Sequence, residues 1–275
     1  MNKMIISQLL AVGVGITSVS ALLVIQQAQA QTSNVSAQQA QQLLEKGKQQ
    51  AQHERYQQAI QTFQQVLEFA QKLHDQKLEA TALVWLGFGV YKISQPQLAL
   101  KYYNQSLRLF RAVGDRSSEA RTLNNIGAVY DALGQKPEAI KYLNLSLPLF
   151  RAVGDRFGEA TTLNNIGKVY SDLGQKQEAL KYYNLSLPLS RAVGDRSGEA
   201  TTLNNIGAVY DDLGQKPEAL KYYNLSLPLA RAEGDRSLEA RTLNNIGAVY
   251  DDLGQKQEAL KYYNQSLPLR RAVGD

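Results

Sequence analysis

The sequence predicts an all-α protein, a solenoid of stacked helical hairpins. Two observations indicate this fold class. The chain repeats itself at a spacing of 40 residues, with a glutamate opening each nearly identical block at Glu119, Glu159, Glu199 and Glu239. Within a block, apolar residues recur at steps of three and four, the period of a helix with one buried face. The repeats therefore form one array, although a length of 275 residues would by itself suggest two ordinary domains.

Two more divergent copies precede the four close ones. Leu83 and Gly87 keep the repeat register in one copy, and Leu43 and Gly47 keep it in the other. We therefore expect six units within residues 39–275. Their predicted starts lie near residues 39, 79, 119, 159, 199 and 239.

Each unit is predicted to begin with a first helix. Leu123, Ile126 and Tyr130 form its apolar stripe in the third unit. Asp115 precedes the block and suits the N-cap position, where its carboxylate accepts from free backbone N–H groups. Gly134 is expected to end the helix in a left-handed conformation.

A second helix is predicted to follow directly. Pro137 is tolerated in its first turn, Ala139 and Leu143 lie on its apolar face, and Gly154 stops it. Pro148 lies late in this helix and cannot donate a hydrogen bond, so we expect a bend there.

Stacking of the units follows from their size. A hairpin of about 40 residues cannot bury both of its apolar faces by itself. Gly127 and Ala139 are small, which predicts that the two helices of a hairpin cross closely at these residues. Tyr130 and Tyr142 are expected to fill the space between neighbouring units.

The repeated residues resemble the tetratricopeptide pattern. The matching positions in the third unit are Leu123, Ile126, Gly127, Tyr130, Gly134, Ala139 and Leu143. The spacing of 40 and the T-L-N-N-I-G block are most similar to the longer-helix repeats of kinesin light chains, Leu-Gly-Asn adaptors and many bacterial, notably cyanobacterial, repeat proteins. The resemblance implies a right-handed superhelical solenoid over nearly all of the chain after residue 38. The sequence departs from the tetratricopeptide pattern at the end of a unit, where a Gly-Asp turn replaces the usual proline.

Paired asparagines recur in the middle of the first helices, where asparagine is a mediocre helix former. The pairs are Asn124 and Asn125, Asn164 and Asn165, Asn204 and Asn205, and Asn244 and Asn245. The resemblance implies that the first helices line a concave groove, in which the second asparagine of each pair hydrogen-bonds the main chain of a bound peptide. The alternative is that one asparagine of each pair bonds a neighbouring helix and sets the stacking.

Charged residues lie on either side of these pairs and are expected to select side chains of the partner. Arg121 and Arg241 come one turn earlier, where two other units have Thr161 and Thr201. The later positions are Lys168, Asp131, Asp172, Asp211 and Asp251.

Composition argues against several other functions. The 30 lysines and arginines are interleaved with 25 acidic residues, which does not predict nucleic-acid binding. The chain has no cysteine, and its only histidines, His53 and His74, lack metal-ligand spacing. No activated nucleophile or phosphate-binding motif is present in the sequence. We therefore predict no catalytic residues, no metal, no cofactor and no enzymatic activity.

The first 30 residues resemble a secretory signal peptide. Lys3 is followed by a largely apolar run over residues 5–25 and by the small-x-small sequence Ala28-Gln29-Ala30. We expect cleavage before Gln31, a linker over 31–38, and export to the periplasm or the extracellular space. The alternative is an uncleaved membrane anchor, because about 20 apolar residues can cross a bilayer. No second run of that length follows, so no membrane span is expected once the signal is removed.

These observations predict an extracytoplasmic interaction scaffold that binds a peptide or helix of a partner protein in its groove. One alternative is a structural envelope protein that self-associates head to tail. This alternative rests on the final unit, where Tyr263, Leu267 and Leu269 lack a capping helix apart from a minimal cap at Arg270 and Arg271. The other alternative is the N-terminal part of a longer ancestor whose effector domain has been lost.

Overall fold

The computed structural model describes residues 37–274, and these residues contain twelve helices and no strand. The all-α prediction is confirmed. The predicted signal peptide, 1–30, lies outside the described residues. Residues 37 and 38, which belong to the segment predicted as a linker, are helical.

The chain divides into two compact units, one up to Val113 and one from Gly114 onward. The helices of the first unit are α1 (37–52), α2 (Tyr56–Lys72), α3 (Gln76–Lys92) and α4 (Pro96–Val113). They form two hairpins, and α2 also packs on α3. The core of this unit contains Phe63, which is fully buried and stacks on Trp85 with ring centroids 5.5 Å apart.

The second unit contains four consecutive hairpins. Its helices are α5 (Arg116–Ala132), α6 (Lys136–Val153), α7 (Arg156–Asp172), α8 (Lys176–Ala192), α9 (Arg196–Asp212), α10 (Lys216–Ala232), α11 (Arg236–Asp252) and α12 (Lys256–Val273). The second helix of each hairpin packs on the first helix of the next hairpin. The first helices α5, α7, α9 and α11 also contact one another in sequence. The predicted stacking of hairpins is therefore confirmed.

Aspartate caps determine where the first helices begin. The Asp115 carboxylate accepts a hydrogen bond from the backbone N–H of Ser118 at 3.0 Å, so α5 begins at Arg116, three residues before Glu119. Asp155, Asp195 and Asp235 cap α7, α9 and α11 in the same way. Gly134 follows α5 with a φ of 72°, the predicted left-handed conformation.

The two helices of each hairpin approach closely at the predicted glycine. A Cβ placed on Gly127 would lie 2.7 Å from Cγ of Leu143, and one placed on Gly167 would lie 2.7 Å from Cδ1 of Tyr183. Neither separation leaves room for a methyl group. The prediction that these glycines permit a close crossing is confirmed.

Pro148 does not end the second helix of its hairpin, because α6 continues to Val153. The helix ends at the predicted Gly154, and the predicted bend at Pro148 stays a prediction. The place of the proline explains why the helix can continue past it. Pro148 is exposed, and the carbonyl that loses its intrahelical bond belongs to Asn144, which is also exposed and can be hydrated.

The faces at the two ends of the series differ in polarity. In α12, Leu260 is 58% exposed and Leu267 is 47% exposed, whereas Leu147, at the position of Leu267 in an internal hairpin, is 8% exposed. In α1, Gln42 and Lys46 are exposed where the internal first helices have buried threonine and isoleucine. Head-to-tail association stays a prediction.

Neighbouring hairpins fill the same space with different residues. Phe150 at the end of α6 packs where Gly158 opens α7, and a Cβ on Gly158 would collide with the phenyl ring. The corresponding residues of the last two hairpins are Ala230 and Leu238, which pack together and are both buried. A small residue is thus paired with a large one in each case, in opposite order.

We expect the protein to tolerate a change in size at residues 150 and 158 only when both residues are changed together. Phe150→Ala should lower the free energy of unfolding by about 3–5 kcal/mol by leaving a cavity, and Gly158→Leu by about 1–3 kcal/mol by overpacking. The double variant, which copies Ala230 and Leu238, should lose clearly less than the sum of the two. Urea unfolding of the four proteins measures this coupling, and simple additivity would contradict the pairing.

Candidate functional site

The asparagine pairs join consecutive first helices. Asn164 Oδ1 on α7 accepts hydrogen bonds from Thr202 Oγ1 and Asn205 Nδ2 on α9, each at 3.2 Å. Asn124 accepts in the same way from Thr162 and Asn165, and Asn204 accepts from Thr242 and Asn245. The first asparagine of one pair is therefore bonded to the second asparagine of the next pair. We call the surface of α5, α7, α9 and α11 that carries these bonds the A-helix face.

The two asparagines of a pair have different amounts of unused bonding capacity. Asn204 is 2% exposed, and its carbonyl oxygen already accepts two bonds. Asn205 is half-buried and donates one N–H to Asn164, while its own Oδ1 accepts no hydrogen bond from residues 37–274. Asn125 and Asn244, at the ends of the series, make no such bond within the described range. The first asparagines thus match the stacking alternative, and partner binding by the second ones stays a prediction.

Ion pairs run along the A-helix face where the first helices end. Lys136 Nζ lies 2.5 Å from Asp131 Oδ1 and 2.5 Å from Asp172 Oδ2 of the next hairpin. Lys168 Nζ lies 2.6 Å from Asp131 Oδ2 and 3.1 Å from Asp172 Oδ2. The predicted site residues Asp131, Lys168 and Asp172 are thus brought together, and Lys136 completes the group.

The same row continues through the later hairpins. Lys216 Nζ lies 2.6 Å from Asp211 Oδ1 and 2.5 Å from Asp252 Oδ2, and Lys176 pairs with Asp212. Asp251 Oδ1 lies 2.6 Å from Lys256 Nζ. Sequence reasoning missed these bridging lysines, Lys136, Lys176, Lys216 and Lys256. The signal was their recurrence at a spacing of 40, five residues after position 131 and its copies.

These ion pairs shift proton affinities in the expected directions. Partial burial opposes ionisation of Asp172, but hydrogen bonds from Lys136 and Lys168 outweigh it, so the pKa of Asp172 lies below its ordinary value. For Lys136, burial acts to lower the pKa, and the hydrogen bonds to Asp131 and Asp172 raise it above the ordinary value. Both groups are therefore charged at neutral pH.

Two buried tyrosines present their hydroxyls to this row of charges. Tyr183 and Tyr223 are each 1% exposed. Their rings pack against glycines of the first helices, Tyr183 against Gly167 and Tyr223 against Gly207. Burial raises the pKa of both hydroxyls, and the charges of Asp172 and Asp131 near Tyr183 add to the effect.

The two predicted arginines have different surroundings. Arg121 is exposed, and its guanidinium lies 3.1 Å from Asp155 Oδ2. Arg241 is exposed and forms no ion pair within the described part of the chain. Its charge opposes in part the rise that burial causes in the pKa of the Tyr183 and Tyr223 hydroxyls.

The site offers hydrogen-bond donors, acceptors and fixed charges, which suit non-covalent recognition. Among residues 37–274, no group of three or more histidine, cysteine, aspartate or glutamate side chains is placed to hold a metal ion. The helices in that range include none with the length and apolar character of a membrane span.

The two asparagines of one pair should differ in their effect on stability. Asn204→Ala leaves Thr242 and Asn245 without their acceptor in a buried place, and we expect a loss of about 1–3 kcal/mol in unfolding free energy. Asn205→Ala removes one half-exposed bond and should cost about 1 kcal/mol or less. The change in helix propensity is the same in both, so urea unfolding compares them directly. Equal losses would contradict the division of roles.

Comparison with solved structures supports the fold. BtubC (BKLC) from P. vanneervenii is 21% identical, with 80% of this chain and 92% of that chain covered and a TM-score of 0.69. A Rap protein complexed with Competence and Sporulation Factor is 14% identical, with 84% and 75% covered and a TM-score of 0.65. A putative kinesin light chain with nearly identical repeats from Podosopora anserina is 15% identical, with 71% and 96% covered and a TM-score of 0.57.

No curated protein matches this sequence. The family model described as tetratricopeptide repeat matches residues 78–152, 119–192, 158–232 and 198–272. Together these matches span well over half of the chain. The repeats, the stacked hairpins and this match lead to one conclusion: the chain belongs to the tetratricopeptide repeat family.

Proposed function

We propose that this protein is an extracytoplasmic interaction scaffold that holds an extended peptide or a helix of a partner protein on the A-helix face. One observation carries the proposal. Asn165, Asn205 and Asn245 follow one another across the stacked helices, and each has an amide oxygen and one N–H that no residue of 37–274 bonds. A peptide backbone needs one acceptor and one donor at each residue it presents.

The neighbours of these asparagines support the same proposal. Carboxylates and ammonium groups are carried by the same first helices or lie beside their ends, so charges of both signs are available to a bound segment. The first asparagines hold the helices together, which keeps the second ones in place before a partner arrives. The Rap protein of similar fold is described as complexed with Competence and Sporulation Factor, which supports binding as a use of this fold.

The extracytoplasmic setting rests on residues 1–30. A positive start, an apolar run and Ala28-Gln29-Ala30 together are typical of a cleaved export signal. When the whole chain is expressed in a bacterium with the general export pathway, we expect it outside the cytoplasm with Gln31 at its N-terminus. N-terminal sequencing of the fractionated protein checks this expectation, and an intact Met1 on a membrane-bound product would indicate the anchor instead.

Partner binding should depend on the second asparagines. With the chain from Gln31 to Asp275 as bait, the triple variant N165A/N205A/N245A should retain much less of a partner from an envelope extract than the unmodified chain. Each amide contributes about 0.5–1.5 kcal/mol, so three together amount to at least about a tenfold loss in affinity. Mass spectrometry of the retained proteins measures the difference.

The chain supplies a matched control. Asn144, Asn184 and Asn224 are exposed on the second helices, so N144A/N184A/N224A makes the same chemical change away from the A-helix face. Its binding should equal that of the unmodified chain, and circular dichroism should show equal helicity in all three proteins. If the triple variant at Asn165, Asn205 and Asn245 retains the same partners as the control, those asparagines serve stacking alone.

A further inference from the structure

Each junction between consecutive hairpins of the second unit has the same charges at its ends. The second helix of one hairpin runs antiparallel to the first helix of the next, and an ion pair joins them at either end. Between α8 and α9, Lys176 pairs with Asp212 at one end, and Arg191 Nε lies 2.6 Å from Glu199 Oε1 at the other. The other two junctions carry the equivalent pairs, which are Lys136 with Asp172, Arg151 with Glu159, Lys216 with Asp252 and Arg231 with Glu239.

Apolar side chains fill each junction between its ion pairs. The second helix contributes residues four apart, and the first helix of the next hairpin contributes residues three apart. Between α10 and α11 these residues are Ala219, Tyr223 and Leu227 against Leu243, Ile246 and Val249. Between α6 and α7 they are Ala139, Leu143 and Leu147 against Leu163, Ile166 and Val169. A junction thus joins a second helix with basic ends to a first helix with acidic ends through two apolar stripes.

The last second helix, α12, carries one half of such a junction. Leu260 is 58% exposed, whereas Leu180 at the same place in α8 is 8% exposed. Leu267 is 47% exposed, against 7% for Leu227 in α10. Among residues 37–274, no helix covers these side chains as α9 and α11 cover their counterparts. The surface that we call the α12 face consists of Lys256, Leu260, Tyr263, Leu267, Arg270 and Arg271.

The basic ends of the α12 face lack carboxylates that their counterparts meet. Lys216 in α10 bridges two carboxylates, one from its own hairpin and one from the next. Lys256 at the same place in α12 reaches only the one in its own hairpin, on Asp251, and its side chain is 67% exposed against 20% for Lys216. Arg271 stands at the place of Arg231 and forms no ion pair within residues 37–274. A helix with acidic ends would therefore complement both ends of the α12 face.

Arg270 provides an independent observation at one of these ends. The internal residues at its place are all buried, and they are Phe150, Ser190 and Ala230. Phe150, for example, packs on Gly158 in the first turn of α7. Arg270 Nε is buried and has no hydrogen-bond partner among the described residues, and such a donor calls for an explanation in a folded protein. A carboxylate in the first turn of a docked helix would lie beside this guanidinium and accept from it.

We infer that the α12 face binds a helix of a partner protein, which takes the place that α7, α9 and α11 take at the internal junctions. The helix runs antiparallel to α12 and has apolar residues three apart in its middle. It carries a carboxylate in its first turn, near Arg270 and Arg271, and another in its last turn, near Lys256. The inference is independent of the proposed function, because the A-helix face belongs to the first helices and the α12 face to a second helix.

A second copy of this chain offers no matching helix at the surface of residues 37–274. Helices α5, α7, α9 and α11 have the apolar pattern, but those residues are buried within their own chain. Helix α1 has Lys46 and Gln49 where α7 has Ile166 and Val169, so its pattern is interrupted by polar residues. The occupant is therefore a different protein whose helix has the acidic and apolar pattern of α9.

The probe is a fluorescent peptide copied from residues 195–212, which comprise the N-cap Asp195 and α9. In the protein, α9 packs on Leu180 and Tyr183 of α8, and α12 has leucine and tyrosine at the same places. We expect saturable binding of the peptide, measured by fluorescence anisotropy. L260Q/L267Q should weaken it at least about tenfold, because the apolar contacts are lost. Absence of saturable binding to the unmodified protein would overturn the inference.

The chain supplies a matched control on other second helices. Leu185 and Leu225 are 46% and 45% exposed, so L185Q/L225Q makes the same chemical change at similar exposure outside the α12 face. This variant should bind the peptide as the unmodified protein does, and circular dichroism should show equal helicity in all three proteins. Equal peptide affinity in L260Q/L267Q and L185Q/L225Q would overturn the assignment to the α12 face.

Exchange of charges tests the direction of the bound helix. Arg271→Glu should weaken the peptide several-fold, because it places a like charge opposite Glu199 of the peptide. A peptide with Glu199→Arg should bind Arg271→Glu more tightly than the original peptide does, and should bind the unmodified protein more weakly. If the changed peptide gains nothing on Arg271→Glu, the antiparallel alignment is wrong.

Two further outcomes would give the α12 face or the peptide another partner. A molecular mass that rises with concentration for the protein alone, and stays constant for L260Q/L267Q, would make a second copy the occupant and overturn the inference. Peptide binding that is kept in L260Q/L267Q but lost in N165A/N205A/N245A would place the peptide on the A-helix face. That result would also overturn the inference, while leaving the proposed function standing.

Discussion

The close approach of the two helices within each hairpin is the constraint on which the second compact unit depends. At Gly167 the first helix comes so near the Tyr183 ring that no side chain fits between them. Ser186 Oγ then donates to the backbone carbonyl of Ala160 at 2.8 Å, and the same serine-to-alanine bond recurs in every hairpin of the unit. Such a hairpin still has uncovered apolar faces. The next hairpin must bury them, and the array follows.

The stacking of hairpins also sets what the A-helix face can offer. The asparagines of a pair divide their bonding capacity, because one amide of each pair joins two hairpins and the other retains an oxygen and an N–H. Packing and the proposed recognition thus use different members of the same pair. Substitutions in this region need to be chosen with both roles in mind.

The nearly identical repeats differ at buried and at exposed positions. Phe150 beside Gly158 and Ala230 beside Leu238 exchange a large and a small residue, whereas Leu143 is replaced by the larger Tyr183 in the next hairpin. Replacement of Lys168 by alanine in the two following copies costs little stability, since surface ion pairs contribute little, but it removes the lysine that pairs with Asp131 and Asp172. A repeat array can therefore alter its charges locally while its fold is preserved.

Much of the fold could be predicted from the sequence because its signals are local or periodic. Asp115 caps α5 through a backbone N–H three residues away, Gly134 takes the left-handed conformation, and the spacing of 40 counts the hairpins. The effect of the proline in α6 is harder to predict, because a helix tolerates a missing bond when the residue with the freed carbonyl is exposed, and exposure is a property of the packed molecule.

The sequence by itself determined the helices, their caps, the pairing of helices into hairpins and the face on which Asn165, Asp131 and their copies lie. Only the tertiary structure decided which asparagine is used for stacking and which lysine meets two carboxylates. The partners in these contacts are 36 to 41 residues apart along the chain, as in Lys136 with Asp172 and Asn205 with Asn164. The helical period gives the direction in which a side chain points from the axis of its own helix. It does not give the distance to the next hairpin, which the buried side chains between them set.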